Sequence, residues 1–522
     1  MTWVLIALLV VPLVGALVVA FLRKDDKKAK LVALAFSLVE LVLAVLLWTA
    51  YKPDGDRIQL AAGVDWIPAF GVRLSFGIDG IALVMIAVIA LLIPLVIGAG
   101  WTEKLPAGRS QGGYLALILV QEAVTVAVFA ATDVFLFYVL FEVMLIPMYF
   151  LIGGYGGARR QYAAVKFFLY SFLGGLIMLA SAIGAYAMAS DELGKGTFDW
   201  ATLVKVVSDA DATTQTWLFL GFFLAFAIKA PLVPFHTWLP DAAAEAPIGV
   251  TVIVVGILDK VGTFGMLRYL LPMFPTASKN LAPLVLVLAV AGVLYGSLLA
   301  TGQRDMKRFL AYVSIAHFGF IALGIFSFTS QAGVGSVSYM LNHSISTGML
   351  ILVIGMVIAR GGSSLISDYG GMSKVAPVLA GMLLLSGLTT LSLPGTNSFV
   401  SEFLVLIGSF PTQPVYTILA TVGMVLAALY VLWLYQRIMT GPLRGDALLG
   451  AAAGPGAVGD PEKKTTIGDL SKREIAVLAP LVVIVLALGF FPQPVLDVIT
   501  PTVGATLTEV GVTDPVSVQE GK

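Results

Sequence analysis

The chain has 522 residues, of which 59% are hydrophobic and only 12% charged, and its 31 basic and 31 acidic side chains cancel to zero net charge. Such a composition excludes a water-soluble globular protein and points to apolar helices of ~20 residues crossing a bilayer, where every backbone group must pair internally. The absence of cysteine excludes disulfides, thiolate-bound metal and cysteine-held iron–sulfur clusters within the chain, and no glycine loop with a following strand and helix marks a nucleotide site.

In chain order the apolar runs predict fourteen spans, near residues 2–22, 30–50, 77–100, 113–131, 133–152, 162–190, 216–240, 247–271, 281–301, 307–326, 334–359, 376–408, 415–436 and 474–495. The expected fold is an all-α integral membrane protein forming one polytopic domain over 1–522. The positive cluster "RKDDKK" follows the first apolar run, so that run reads as an anchor, not a cleavable signal. Glu40, in the second span, reads as snorkelling or packed against a partner. Asp79 and Asp133 stand at helix starts, where capping and the helix dipole explain them. Further along, "QRDMKR" (303–308) reads as a solvated cytoplasmic turn and "SKRE" (471–474) as a capping box opening the last helix. The stretch 441–472 is a polar loop. With the Arg23–Lys30 loop taken as cytoplasmic, alternate loops place 21 Lys and Arg on that side against eight on the other, at 52, 57, 73, 195, 205, 268, 279 and 522. The bias predicts both termini outside.

Two spans carry strong interruptions. One is the seventh, with Pro231 and Pro234 in "KAPLVPF"; the other is the twelfth, with Pro394 in "LTTLSLPGTNSF". Proline has no N–H, so these residues free the carbonyls of Ala227, Ala230 and Thr390. Such breaks persist in a membrane only where protein or a hydrated cavity satisfies those groups. If 113–271 (spans 4–8) and 281–436 (spans 9–13) form two units after the helices of 1–112, the break is fourth in each. An odd number of spans inverts the second unit, and inverted five-helix repeats with broken helices are typical of ion transporters.

Ionisable residues deep in the spans fall into the same two units. The first holds Glu142, Lys229 and Lys260; the second holds His317, His343 and Glu402. A charge at mid-bilayer costs at least ~2.5–3.5 kcal/mol, so each is expected to have a partner or a function. Glu142 and Lys229 suit a switchable pair, because burial and proximity pull their protonation in opposite directions, and a lysine, unlike an arginine, can give up its proton. A static ion pair is the alternative. The histidines suit proton relay, although His317 also fits a satisfied core position. His236, Glu122 and Asp259 are secondary candidates.

"FAIKAPLVPFHTWLPDAAAEAP", "GILDKVGTFGMLR", "QRDMKRFLAYVSIAHFG" and "LPGTNSFVSEFL" together resemble the antiporter-like membrane subunits of respiratory complex I, over nearly the whole chain from Gly77 onward. Length near 500, no long C-terminal lateral helix, and Glu402 where the longer relatives carry lysine match the M type (mitochondrial subunit 4) over the L type. The resemblance implies fourteen helices with two inverted repeats, and proton pumping coupled to quinone reduction by NADH. It makes Glu142 and Lys229 the gating pair, Lys260 the central station, His317 and His343 relays, and Glu402 the exit group. It also implies FMN, iron–sulfur clusters and quinone in other subunits and no cofactor here. Implied partners are the antiporter-like subunits on either side, the lateral helix of subunit L, and the lipids of a bacterial plasma membrane, with no nucleic acid. Two residues depart from the family pattern: Ala243 replaces a usual histidine, and Asp259 precedes Lys260 where an apolar residue is usual. Competing readings are a subunit of a multi-subunit Na+/H+ antiporter, a haem protein ligated by His317 and His343, and a scaffold with an inactive channel.

Overall fold

The computed structural model describes residues 2–103, 105–445, 448 and 468–513, and helices dominate. Thirteen helices among the described residues are long and apolar enough to cross a membrane. The twelfth predicted span is instead two short apolar helices, Pro377–Thr390 and Asn397–Ser409, and with it all fourteen predicted spans have a counterpart. Most of the predicted loop 441–472 lies outside the described residues.

Burial grades across the bundle. The third, eighth, tenth and eleventh spans are almost wholly enclosed, whereas the first, thirteenth and last expose broad apolar faces, as at Leu17, Val425 and Val483. Lipid tails solvate such faces as well as another helix would, so they need no protein cover. Three of these four enclosed spans, the eighth, tenth and eleventh, carry Lys260, His317 and His343.

Caps behave as their residue types dictate. Asp79 and Asp133 accept from the backbone N–H of Ala82 at 2.8 Å and Leu136 at 2.9 Å, and Ser471 with Glu474 forms a capping box. Other expectations need correction. Arg268, assigned by charge counting to an outer loop, is fully buried in the eighth span and ion-paired with Asp79 at 2.6 Å. Glu40 does not snorkel; it is fully buried. The turn at 303–308 is pinned, not merely solvated: Arg308 pairs with Asp241 at 2.5 Å and Lys307 donates to the Ala246 carbonyl at 2.6 Å. The last span ends at Phe490, and a separate helix follows over Gln493–Val510 with proline in its first turn. That helix docks on the third span, where Gly80 N–H donates to Thr502 at 3.0 Å and no side chain would fit at Gly80. An antiparallel hairpin, Gln59–Ile67 with Val72–Ile78, also escaped the span pattern.

Candidate functional site

The site begins at the first break. The seventh span is helical from Ala212 to Lys229, stops there, and resumes as Trp238–Glu245. The protein itself satisfies part of the opened backbone. The Ala227 carbonyl, freed by Pro231, accepts from Leu232 N–H at 2.9 Å, and the Trp238 indole donates to Ile228 at 2.9 Å. Lys229 is therefore the last residue of a helix, where the negative end of the macrodipole favours a cation. Its ammonium is fully buried, lies over the rings of Phe141 at 4.9 Å and Phe167 at 5.5 Å, and has no hydrogen-bond partner.

Glu142 also sits at an interruption. The fifth span divides into Val134–Val143 and Leu145–Tyr155, since Pro147 cannot donate back to Val143. The carboxylate packs against Gly175 of the sixth span, so closely that a methyl group there would overlap it. Neither carboxylate oxygen is hydrogen-bonded. Glu142 and Lys229 feel each other's charge but form no contact ion pair among the described residues, so the static-pair reading is not what the geometry presents.

The eighth span links the two breaks. At Val254–Leu258 its turns widen to π-helix, with Asp259 N–H bonding to Val254 at 3.1 Å. A π-turn shifts the register of the backbone ladder by one residue. Lys260 uses that shift: its ammonium donates to the Val255 carbonyl at 2.5 Å and meets His343 Nδ1 at 2.7 Å, with the Phe318 ring 5.0 Å away. Asp259, fully buried and without a hydrogen bond, interacts electrostatically with both Lys260 and Lys229. It bridges the two lysines in charge. Adjacent helix positions do not share a face, so the order of residues alone does not say which neighbour Asp259 meets.

From Lys260 the polar groups continue into the second unit. The His343 and His317 rings meet edge to face at 5.2 Å, and His317 lies 5.7 Å from the Tyr339 ring. With His343 Nδ1 engaged by Lys260 and the two rings in contact, there is no slot between them for a flat macrocycle. His317 also interacts with the backbone of Thr390, whose carbonyl Pro394 frees. The Tyr339 hydroxyl donates to Glu402 at 3.1 Å, and Ser392, in the second break, donates to the same carboxylate. Around them Asn342 and Ser346 of the eleventh span bind Asn397, which starts the helix carrying Glu402. Tyr339 and Ser392 were missed. Tyr339 had a usable signal, since it stands four residues before His343 and thus on the same helical face.

The secondary candidates separate. Asp259 joins the axis. His236, within the first break, packs edge to face on Tyr295 at 5.1 Å, with Nδ1 unbonded; among the described residues it makes no hydrogen bond or ring contact with Lys229 or Lys260. Glu122 is set apart from these groups: it and Glu40 are both buried and without hydrogen bonds, and Glu122 senses the charge of Glu40. Among the described residues no group of three or more His, Asp or Glu could hold a metal ion.

Comparison with known proteins places this geometry. Residues 131–452 match the family described as NADH:quinone oxidoreductase/Mrp antiporter, TM. The chain is 45% identical to NADH-quinone oxidoreductase subunit M of Mycobacterium tuberculosis, covering 97% of this chain and 94% of that one. It is 34% identical to NADH-ubiquinone oxidoreductase chain 4 of Arabidopsis thaliana, over 94% of each. Among solved structures it resembles a chain of respiratory complex I from Thermus thermophilus with bound NADH, with a TM-score of 0.84 and 29% identity over 97% of this chain and 100% of that chain. Broken helices, a buried lysine–histidine–glutamate axis and these matches converge: the chain belongs to the antiporter-like membrane-subunit family of NADH:quinone oxidoreductases, with subunit M as its relatives.

Proposed function

We propose that the chain is a proton-translocating membrane subunit of a respiratory NADH:quinone oxidoreductase, and that protons move along the axis Glu142, Lys229, Asp259, Lys260, His343, His317, Tyr339 and Glu402. The observation that carries this reading is the Lys260–His343 contact of 2.7 Å, which joins the polar groups of the first break to those of the second. Glu142 and Lys229 act as the gate. Lys229 is buried, Glu142 is half-buried with its carboxylate oxygens enclosed, and neither holds the other in a fixed ion pair, so a small shift of either helix changes their mutual charge stabilisation. Lys260 is the central station: it can pass a proton directly to a neutral imidazole. The histidines and Tyr339 relay it, and Glu402 releases it.

The two broken spans are counterparts in inverted five-helix repeats, so each half-channel has its own helix opening. Redox chemistry, with its flavin and iron–sulfur groups, belongs to other subunits, and the neighbours in the membrane are further antiporter-like subunits, including the one with the lateral helix. The excess of Lys and Arg on the Arg23–Lys30 side supports placing both termini outside a bacterial plasma membrane.

The test is Lys229→Ala in the assembled complex, in inverted membrane vesicles. Proton pumping should be lost and NADH-driven quinone reduction depressed, because redox turnover waits on the proton step. Normal pumping by the assembled variant would remove Lys229 from the route.

A further inference from the structure

A second feature lies on the outside of the bundle. Between the first and fourth spans runs a groove of about 610 Å³ whose walls include Leu13, Leu17, Leu117 and Val120. Small residues, among them Ala16, Ala20, Gly113 and Ala116, form part of the lining. Leu13 is 46% exposed and Leu17 60%, so the groove is open on its outer side, and the walls between the two spans are aliphatic. Its mouth is different. Arg23 and Arg109 both line it, both are exposed, and neither is paired with a carboxylate among the described residues.

Their convergence is built into the fold. Gly112 approaches the backbone of Val19 and Arg23 so closely that any side chain would collide. The end of the first helix and the start of the fourth therefore cross in contact, which brings Arg23 beside the segment that carries Arg109 and Ser110. Arg109 is further held against the Tyr155 ring at 5.8 Å. Two guanidinium groups at the end of an aliphatic groove match a phosphate above acyl tails, because a guanidinium presents a planar fork of donors to a phosphate. The cluster Arg23–Lys30 adds further positive charge on that side, where anionic headgroups gather.

We propose that this groove is a binding site for an anionic phospholipid, with its phosphate on Arg23 and Arg109 and an acyl chain between the first and fourth spans. The choice of lipid over a protein helix rests on charge complementarity. No acidic residue lines the groove, and only an anion complements its mouth.

The experiment uses the purified whole complex in nanodiscs doped with phosphatidylglycerol carrying a diazirine in its acyl chain, or with phosphatidylcholine carrying the same tail. After illumination, labelled peptides are mapped by mass spectrometry. The anionic probe should label residues 13–20 and 116–120 about ten-fold more than the zwitterionic one, the order expected of two basic residues at a headgroup. Arg23→Gln with Arg109→Gln should abolish the preference, and Arg23→Lys with Arg109→Lys should retain part of it. Equal labelling by the two probes would reduce the groove to ordinary annular contact and overturn the proposal. So would absence of labelling there while other lipid-facing helices are labelled, which would mean that a neighbouring subunit fills it. The wild-type comparison of probes needs no variant to fold.

Discussion

Replacing Tyr339 by phenylalanine removes one oxygen from the axis and leaves its packing in place. Tyr339 is buried, with its hydroxyl 3.1 Å from the Glu402 carboxylate and its ring 5.7 Å from His317. Phenylalanine keeps the ring and breaks the phenolic link from the histidines to the terminal carboxylate. A hydrogen bond to a charged group contributes ~1.5–3 kcal/mol, which converts to roughly ten- to hundred-fold in the population of ionised Glu402 or in the rate of transfer to it. Ser392 still donates to Glu402, so the lower part of the range is expected. The assay is NADH-driven quinone reduction and dye-reported acidification in inverted vesicles, each with and without uncoupler. Pumping should fall about ten-fold at unchanged complex content, and uncoupler should restore part of the redox rate, since moving a charge against 100 mV costs ~2.3 kcal/mol. Wild-type pumping in Tyr339→Phe vesicles would refute the relay and make Tyr339 a packing residue.

Gly175→Ala should act like a lesion of Glu142 itself, because the added methyl occupies the position of the carboxylate; pumping should drop severely while assembly persists, and full pumping would mean that the exact seat of Glu142 is unimportant. Glu402→Gln removes the ionisable form of the exit group and should stall release most in energised vesicles, whereas unchanged turnover with and without uncoupler would take Glu402 out of the route. Arg268→Met leaves Asp79 buried without its partner and should destabilise the chain by ~3–5 kcal/mol, read as loss of the subunit from the complex on mild heating. A companion Arg268→Met, Asp79→Asn variant should recover part of that loss, and no recovery would show that the pair is not the source of the stability.

Several parts of this protein were legible in its residues alone. Apolar runs, prolines and intramembrane charges reveal spans, breaks and candidate groups, because the cost of an unsatisfied backbone or a stray charge in lipid restricts where each can occur. Lys229, Lys260, His317, His343 and Glu402 could be chosen on that ground. What the residues could not reveal was who meets whom. That Lys260 contacts His343, 83 positions away, depends on how the enclosed eighth and eleventh spans pack. That Asp259 senses both lysines depends on the π-turn, a shift in backbone register with no local signature in "VVGIL". Arg268 was misplaced in a loop because hydropathy does not see Asp79, 189 positions away; only the folded bundle supplies the counter-ion that lets an arginine remain buried. Sequence determined which groups must be matched, since that requirement is local and chemical. Tertiary structure decided the matches, since they are contacts between helices distant along the chain.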